Sequence, residues 1–89
     1  MRAVITVVGK DTVGILSKIS TLCAEHDVNI VDVTQTIMQD LFCMIMLCEI
    51  DKLNIEFDKF IDKGDALGKE NNLSVKIIHE EIFNSMHRI

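Results

Sequence analysis

The residues best placed to do chemistry lie in the turn Gly9-Lys10-Asp11-Thr12-Val13-Gly14, where polar residues interrupt two apolar runs. Two glycines between a strand-like and a helix-like segment suggest a phosphate loop. That loop needs G-x-x-x-x-G-K-[ST], and here Gly14 is followed by Ile15 and Leu16, so the phosphate lysine and the magnesium-binding hydroxyl are both missing. The thiols offer no metal site either. Cys43 and Cys48 stand an odd number of residues apart in one strand-like run, so they point to opposite faces and cannot chelate one ion. With Cys23 they make an odd set inside apolar stretches, which reads as reduced core thiols. His26, His79 and His87 have no Cys, Ser or Asp partner at a diagnostic spacing and read as structural or surface histidines. Glu80-Glu81 reads as favourable charge in the first turn of a helix. No nucleophile–base pair results: the sequence points to a non-enzyme with no catalytic residue, metal or cofactor.

What the turn does offer is the start of a helix. Unpaired backbone N–H groups and about half a positive charge at such an end attract a carboxylate. Gly14 removes a side chain from that first turn, Asp11 beside it suits an ammonium group, and the amide of Asn29 can donate or accept. A donor cluster, an acid and an amide suit a zwitterion such as an amino acid. The plainer alternative stays open on these residues alone: Asp11 or Thr12 only caps the helix, and Asn29 only ends a turn.

The segments that must position these groups are legible from periodicity. Arg2–Val8 is β-branched and almost continuously apolar, as in a central strand. Ile15, Leu16, Ile19, Leu22, Cys23 and His26 share one helical face, and that helix ends near His26-Asp27. Residues 28–38 suit an outer strand whose apolar phase slips at Ile30-Val31, which predicts a bulge. Gln39-Asp40 is a hairpin turn, and Leu41–Ile50 is a second central strand. A second helix runs from about Asn54 to Asn71, with Leu53, Phe57, Phe60, Ile61, Gly64, Leu67 and Gly68 on one stripe. Leu73–His79 is a fourth strand, and Ile82, Phe83, Met86 and Ile89 mark a short amphipathic helix. The order is that of an α+β, ferredoxin-like βαββαβ sandwich: an antiparallel sheet ordered 4-1-3-2 with an extra C-terminal helix. The domain occupies residues 1–79 and the appended helix residues 80–89. Two helices cover one face of such a sheet. Ala3, Phe42, Met44, Met46 and Cys48 are expected to exceed what they can cover, leaving the other face to the last helix or a second chain.

Composition narrows the partners. The 89 residues carry a net charge of −5 with no cluster of Lys and Arg, which argues against nucleic acid and an anionic membrane. No apolar run approaches the roughly 20 residues of a membrane span, and Gly9-Lys10-Asp11 cuts the first run short of a signal-peptide core, so the chain is expected to be cytoplasmic. Other small sites built on this fold lack their residues here. An acylphosphatase needs an arginine in the first loop, where Lys10 is the cation; a metallochaperone needs C-x-x-C there; an RNA-recognition sheet needs more stacking aromatics than Phe42.

Residues 7–37 resemble the start of ACT domains, small ligand-binding regulatory modules of amino-acid metabolism. The matching signature is an apolar strand, Asp11-x-x-Gly14-Ile15-Leu16, an amphipathic helix, and Val28-Asn29-Ile30 opening the next strand. The resemblance extends over about residues 2–79. It is nearest to free-standing ACT-domain proteins related to the repeats of the glycine-cleavage-system repressor and formyltetrahydrofolate deformylase. It implies a homodimer whose amino-acid ligand sits between the first loop of one subunit and the second strand of its neighbour. Carried onto this chain, the contacts are Asp11, the backbone of Thr12, Val13 and Gly14, and Asn29 with Ile30; a regulated protein partner would read the ligand state. Two positions depart from the pattern. Val13 stands where many members have proline, and Gly9 where serine-binding members have histidine, so serine is not implied. The rival expectation is a protein-interaction module with no small ligand, using the apolar sheet face and the Ile82-Phe83-Met86-Ile89 stripe.

Overall fold

A computed structural model describes residues 1–10 and 13–86. Asp11, Thr12, His87 and Ile89 therefore lie outside the described residues. The chain runs β1 (Arg2–Lys10), α1 (Ile15–Glu25), β2 (Asn29–Met38), β3 (Leu41–Glu49), α2 (Phe57–Asn71), β4 (Leu73–His79) and α3 (Glu80–Met86). The four strands form one antiparallel sheet in the order β2-β3-β1-β4, with the two most apolar strands inside, as periodicity predicts.

Register explains where the core sits. Ala3 pairs with Cys48, Ile5 with Met46, Val7 with Met44 and Gly9 with Phe42, so these alternate residues share one face. Val75 and Ile77 join them from β4, and Ile15, Ile19, Leu22, Cys23 and Phe60 close the core from α1 and α2. This corrects the expectation drawn from composition. Ala3, Phe42, Met44, Met46 and Cys48 all belong to the helix-covered core, each at most 6% exposed. Both β1 and β3 are apolar on both faces, which hid the phase. The face left over is that of Val4, Val8, Cys43, Ile45 and Leu47. On it Val4 is buried, and α3, which lies against β1 and β4, covers that corner.

The predicted irregularities are present. The ladder between β2 and β3 slips between Ile30 and Asp32, and Gln39 turns the hairpin at φ 56. The second helix starts at Phe57 and not near Asn54. Glu56 is its extended N-cap, Asp58 sits in its first turn and Lys69 in its last, both favourable to the helix dipole. Asn54 instead clamps the end of α1. Its Nδ2 donates to the carbonyl of Glu25 at 3.1 Å and to Asp27 Oδ2 at 3.3 Å, while its Oδ1 lies 2.8 Å from His26 Nδ1. The His26 ring stands edge-on to Phe60 with centroids 6.0 Å apart, a structural role as the sequence suggests. No helix among the described residues is long and apolar enough to cross a membrane.

Cys23 and Cys48 meet inside the core as free thiols, and Cys43 lies half-buried on the opposite face. The hydrogen bond with Cys23, and then burial, push the Cys48 thiol above its ordinary value of 9.0. A thiol held protonated in the folded state contributes stability that is complete below pH 9 and lost as the unfolded chain ionises above it. In urea unfolding, stability is expected to fall as pH rises through about 9, with this group contributing to the decline. Cys48→Ala, less stable at neutral pH, should show a flatter decline; equal slopes would refute the assignment.

Candidate functional site

Helix α1 begins in an unusual way. Its N-cap is Gly14, at φ 84 and ψ 12, and no side-chain hydrogen bond caps it. The N-cap position is thus held by a glycine in the left-handed region, which other residues enter only under strain; Asp11 and Thr12, considered as caps, lie outside the described residues. Among the described residues the space around Gly14 is open: a Cβ built there would meet none of their atoms within 4 Å, and Val13 beside it is 96% exposed. Glycine is thus required by the backbone angle rather than by crowding. The first turn of α1 has no acidic residue of its own, so no side chain of that turn offsets the partial positive charge of its N–H groups.

The second half of the expected site lies elsewhere in the chain. Asn29 opens β2 opposite Glu49, which pairs in turn with Arg2. The turn that carries Gly14 leaves β1 after Lys10, whose row continues through Leu41 to Met38. Those rows mark opposite ends of the sheet, about 26 Å apart at roughly 3.3 Å per residue. Within one chain, Gly14 and Asn29 are not brought together. Asn29 is exposed, and its Nδ2 donates to Glu49 Oε1 at 2.9 Å, which fixes the carboxamide and leaves its oxygen to accept. Ile30 is half-buried and packs its side chain against the core, so its backbone is what it can offer a ligand.

Around Asn29 the surface is concave. A cavity of about 410 Å³ is lined by Asp27, Asn29, Glu49, Asp51 and Lys52, and the N-terminal amine of Met1 lies 2.7 Å from Asp51 Oδ1 at its margin. Asn54 lies outside the predicted set, yet it holds the α1 end whose next turn leads into Asn29. Its signal in the sequence is a polar amide just ahead of a helix, at the position where periodicity alone starts that helix. Among the described residues no three His, Cys, Asp or Glu side chains converge on a point that could hold a metal ion.

Comparison with known proteins places this geometry. Residues 2–75 match the family model described as ACT domain. A UPF0237 protein of Methanosarcina acetivorans is 50% identical over 88 residues, covering 99% of this chain and 96% of that one. The solved ACT domain protein from Streptococcus pneumoniae superposes with a TM-score of 0.82 at 35% identity, over 93% of both chains. A formyltetrahydrofolate deformylase from Pseudomonas syringae superposes with a TM-score of 0.78 at 24% identity, over 86% of this chain and 27% of that one, a likeness of fold alone.

Proposed function

The chain belongs to the ACT domain family, and from that premise we propose that it is a regulatory domain which binds a free amino acid across a homodimer interface. Members of this family are typically small-ligand-binding regulatory domains. The observation that carries the proposal is the separation of the two half-sites. A glycine-capped helix start and a fixed amide stand at opposite ends of one sheet, and a second copy running the other way would unite them.

The sheet offers an edge for that copy. β2 is the outer strand, all ten of its residues are exposed or half-buried, and no described strand pairs with its outer edge. Long exposed edges without Lys, Arg or Pro are templates for pairing, and β2 has none of the three. Two antiparallel β2 strands related by a two-fold axis bring the start of one beside the end of the other. Asn29 of one copy then approaches the end of the sheet from which the Gly14 turn of its partner rises. The ligand carboxylate takes the N–H groups at Val13 and Gly14 and the start of α1, Asp11 takes the ammonium, and Asn29 with the Ile30 backbone orients the remainder.

Regulation follows from population shift. A ligand held by both copies favours the dimer geometry in which its contacts are complete, and a protein partner in the cytoplasm reads that geometry. No turnover is expected. Calorimetry of the chain against each of the twenty amino acids tests the reading: at least one should bind with saturable heat, and Asp11→Ala and Asn29→Ala should each weaken it at least tenfold. Silence from all twenty, or two variants that bind like the parent, would dismiss the site.

A further inference from the structure

α1 and α2 lie on the same side of the sheet, and each packs against strands rather than along the other. A groove of about 400 Å³ opens between them. Its floor is apolar: Leu22, 8% exposed, comes from α1, and half-buried Leu67 with Ala66 from α2. Lys18 and Lys63 stand on its two walls, and Glu25 is the one acid that lines it.

These two lysines differ from the others on the same helices. Lys59 has Asp62 three residues on, and Lys69 has Asp65 four residues before it, the spacings at which helical ion pairs form. Lys18 has Gly14, Ile15, Thr21 and Leu22 at those spacings, and Lys63 has Lys59, Phe60, Ala66 and Leu67. Among the described residues neither ammonium enters an ion pair. In a chain of 14 acidic and 9 basic residues, two uncompensated cations over one apolar floor invert the local charge.

Both cations can serve one anion. β1 and β3 run antiparallel, so the helices that follow them do too. The rings of His26 and Phe60 meet near one end and set the helices level there. Measured from that level, Lys18 lies farther along the groove than Lys63 by about 7.5 Å, five residues at 1.5 Å each. Lysine stems run along an apolar wall and carry the ammonium to its rim, so the two heads converge on the mouth between them.

We infer that this groove is a second ligand site, which takes a small monocarboxylate with an apolar body. The carboxylate lies at the mouth between the two ammonium groups, and the body displaces water from Leu22, Ala66 and Leu67. The volume is that of a small-molecule site. Glu25, toward the His26 end, opposes a second negative charge, so a dicarboxylate is disfavoured. The groove shares no residue with the amino-acid site and does not depend on that reading.

Octanoate is the probe. Titrated into the full chain and followed through the backbone amides by two-dimensional NMR, it should move Leu22, Ala66 and Leu67 on one saturable curve. Acetate, which lacks the apolar body, and octylammonium, of opposite charge, should bind at least about threefold more weakly. Lys18→Gln and Lys63→Gln should each weaken octanoate about threefold, whereas Lys59→Gln, off the groove, should leave it unchanged. All three lysines are exposed, so the fold, read in the same spectra, should persist. Equal binding of octylammonium, lysine variants that bind octanoate like the parent, or no saturable shift at these amides would overturn the site. Shifts of the same amides on raising the protein concentration alone would make a second copy the occupant and overturn it as well.

Discussion

Phe60→Ala is expected to lower stability by about 3–5 kcal/mol, most of what a domain of this size holds. Phe60 is the bulkiest fully buried side chain, at 0% exposed. It enters the core from the first turn of α2 and meets the edge of His26, so it joins the two helices above the sheet. Core aromatics are scarce, with four Phe and neither Trp nor Tyr in the chain, and the aliphatic side chains around the site cannot fill the void without shifting. At about 4–8 °C per kcal/mol for a domain of this length, the melting temperature should fall on the order of 20 °C. Scanning calorimetry or far-UV circular dichroism reads it, and Phe60→Leu should recover more than half of the loss. A fall below 1 kcal/mol for the alanine would contradict the placement of this ring.

Gly68→Ala should also destabilise, by about 2–3 kcal/mol, although alanine is the better helix former by about 1 kcal/mol. A Cβ at this position would lie 2.6 Å from the Leu73 carbonyl oxygen and 3.2 Å from Val75 Cγ2. The first of these is strand backbone, held in the β1–β4 ladder, so α2 itself must lift away from β4. At Gly64, one turn earlier, the nearest atom is Ile77 Cδ1 at 2.7 Å, the end of a side chain that can rotate. Gly64→Ala should therefore cost less, and the order of the two variants in chemical denaturation is the check. Equal or inverted costs would mean that α2 does not approach β4 as closely as described.

Much of this architecture is legible from residue types because each signal has one physical cause. The phase slip at Ile30-Val31 anticipates the ladder break between Ile30 and Asp32, since a period of two cannot change faces without an extra residue. The apolar runs of β1 and β3 identify the central strands. The same continuity conceals which alternate set meets the helices, so the cover of Met44 and Met46 is read wrongly until register is known. The start of α2 is missed because Leu53 and Phe57 share a helical stripe although Leu53 precedes the helix, while Asn54 serves α1 through hydrogen bonds that no local pattern reports.

The site divides in the same way. Gly14 and Asn29 are each conspicuous in sequence, one by its place before an apolar helix and the other by opening a strand. Their separation is a property of topology, because β1 and β2 run parallel and the turn follows one while Asn29 begins the other. Under the proposed reading, that separation calls for a second copy.

The most direct test of the proposed two-copy site is complementation between two defective chains. Asp11→Ala and Asn29→Ala each damage every site of their own homodimer, but a mixed dimer carries both lesions in one site and leaves the other intact. Unfolded together in equal amounts and refolded, the mixture should recover about one quarter of the parent's sites by calorimetry, at parental affinity, because half of the dimers are mixed and each has one whole site. If the parent binds an amino acid and the mixture recovers none, the two half-sites do not meet across an interface, and the account fails.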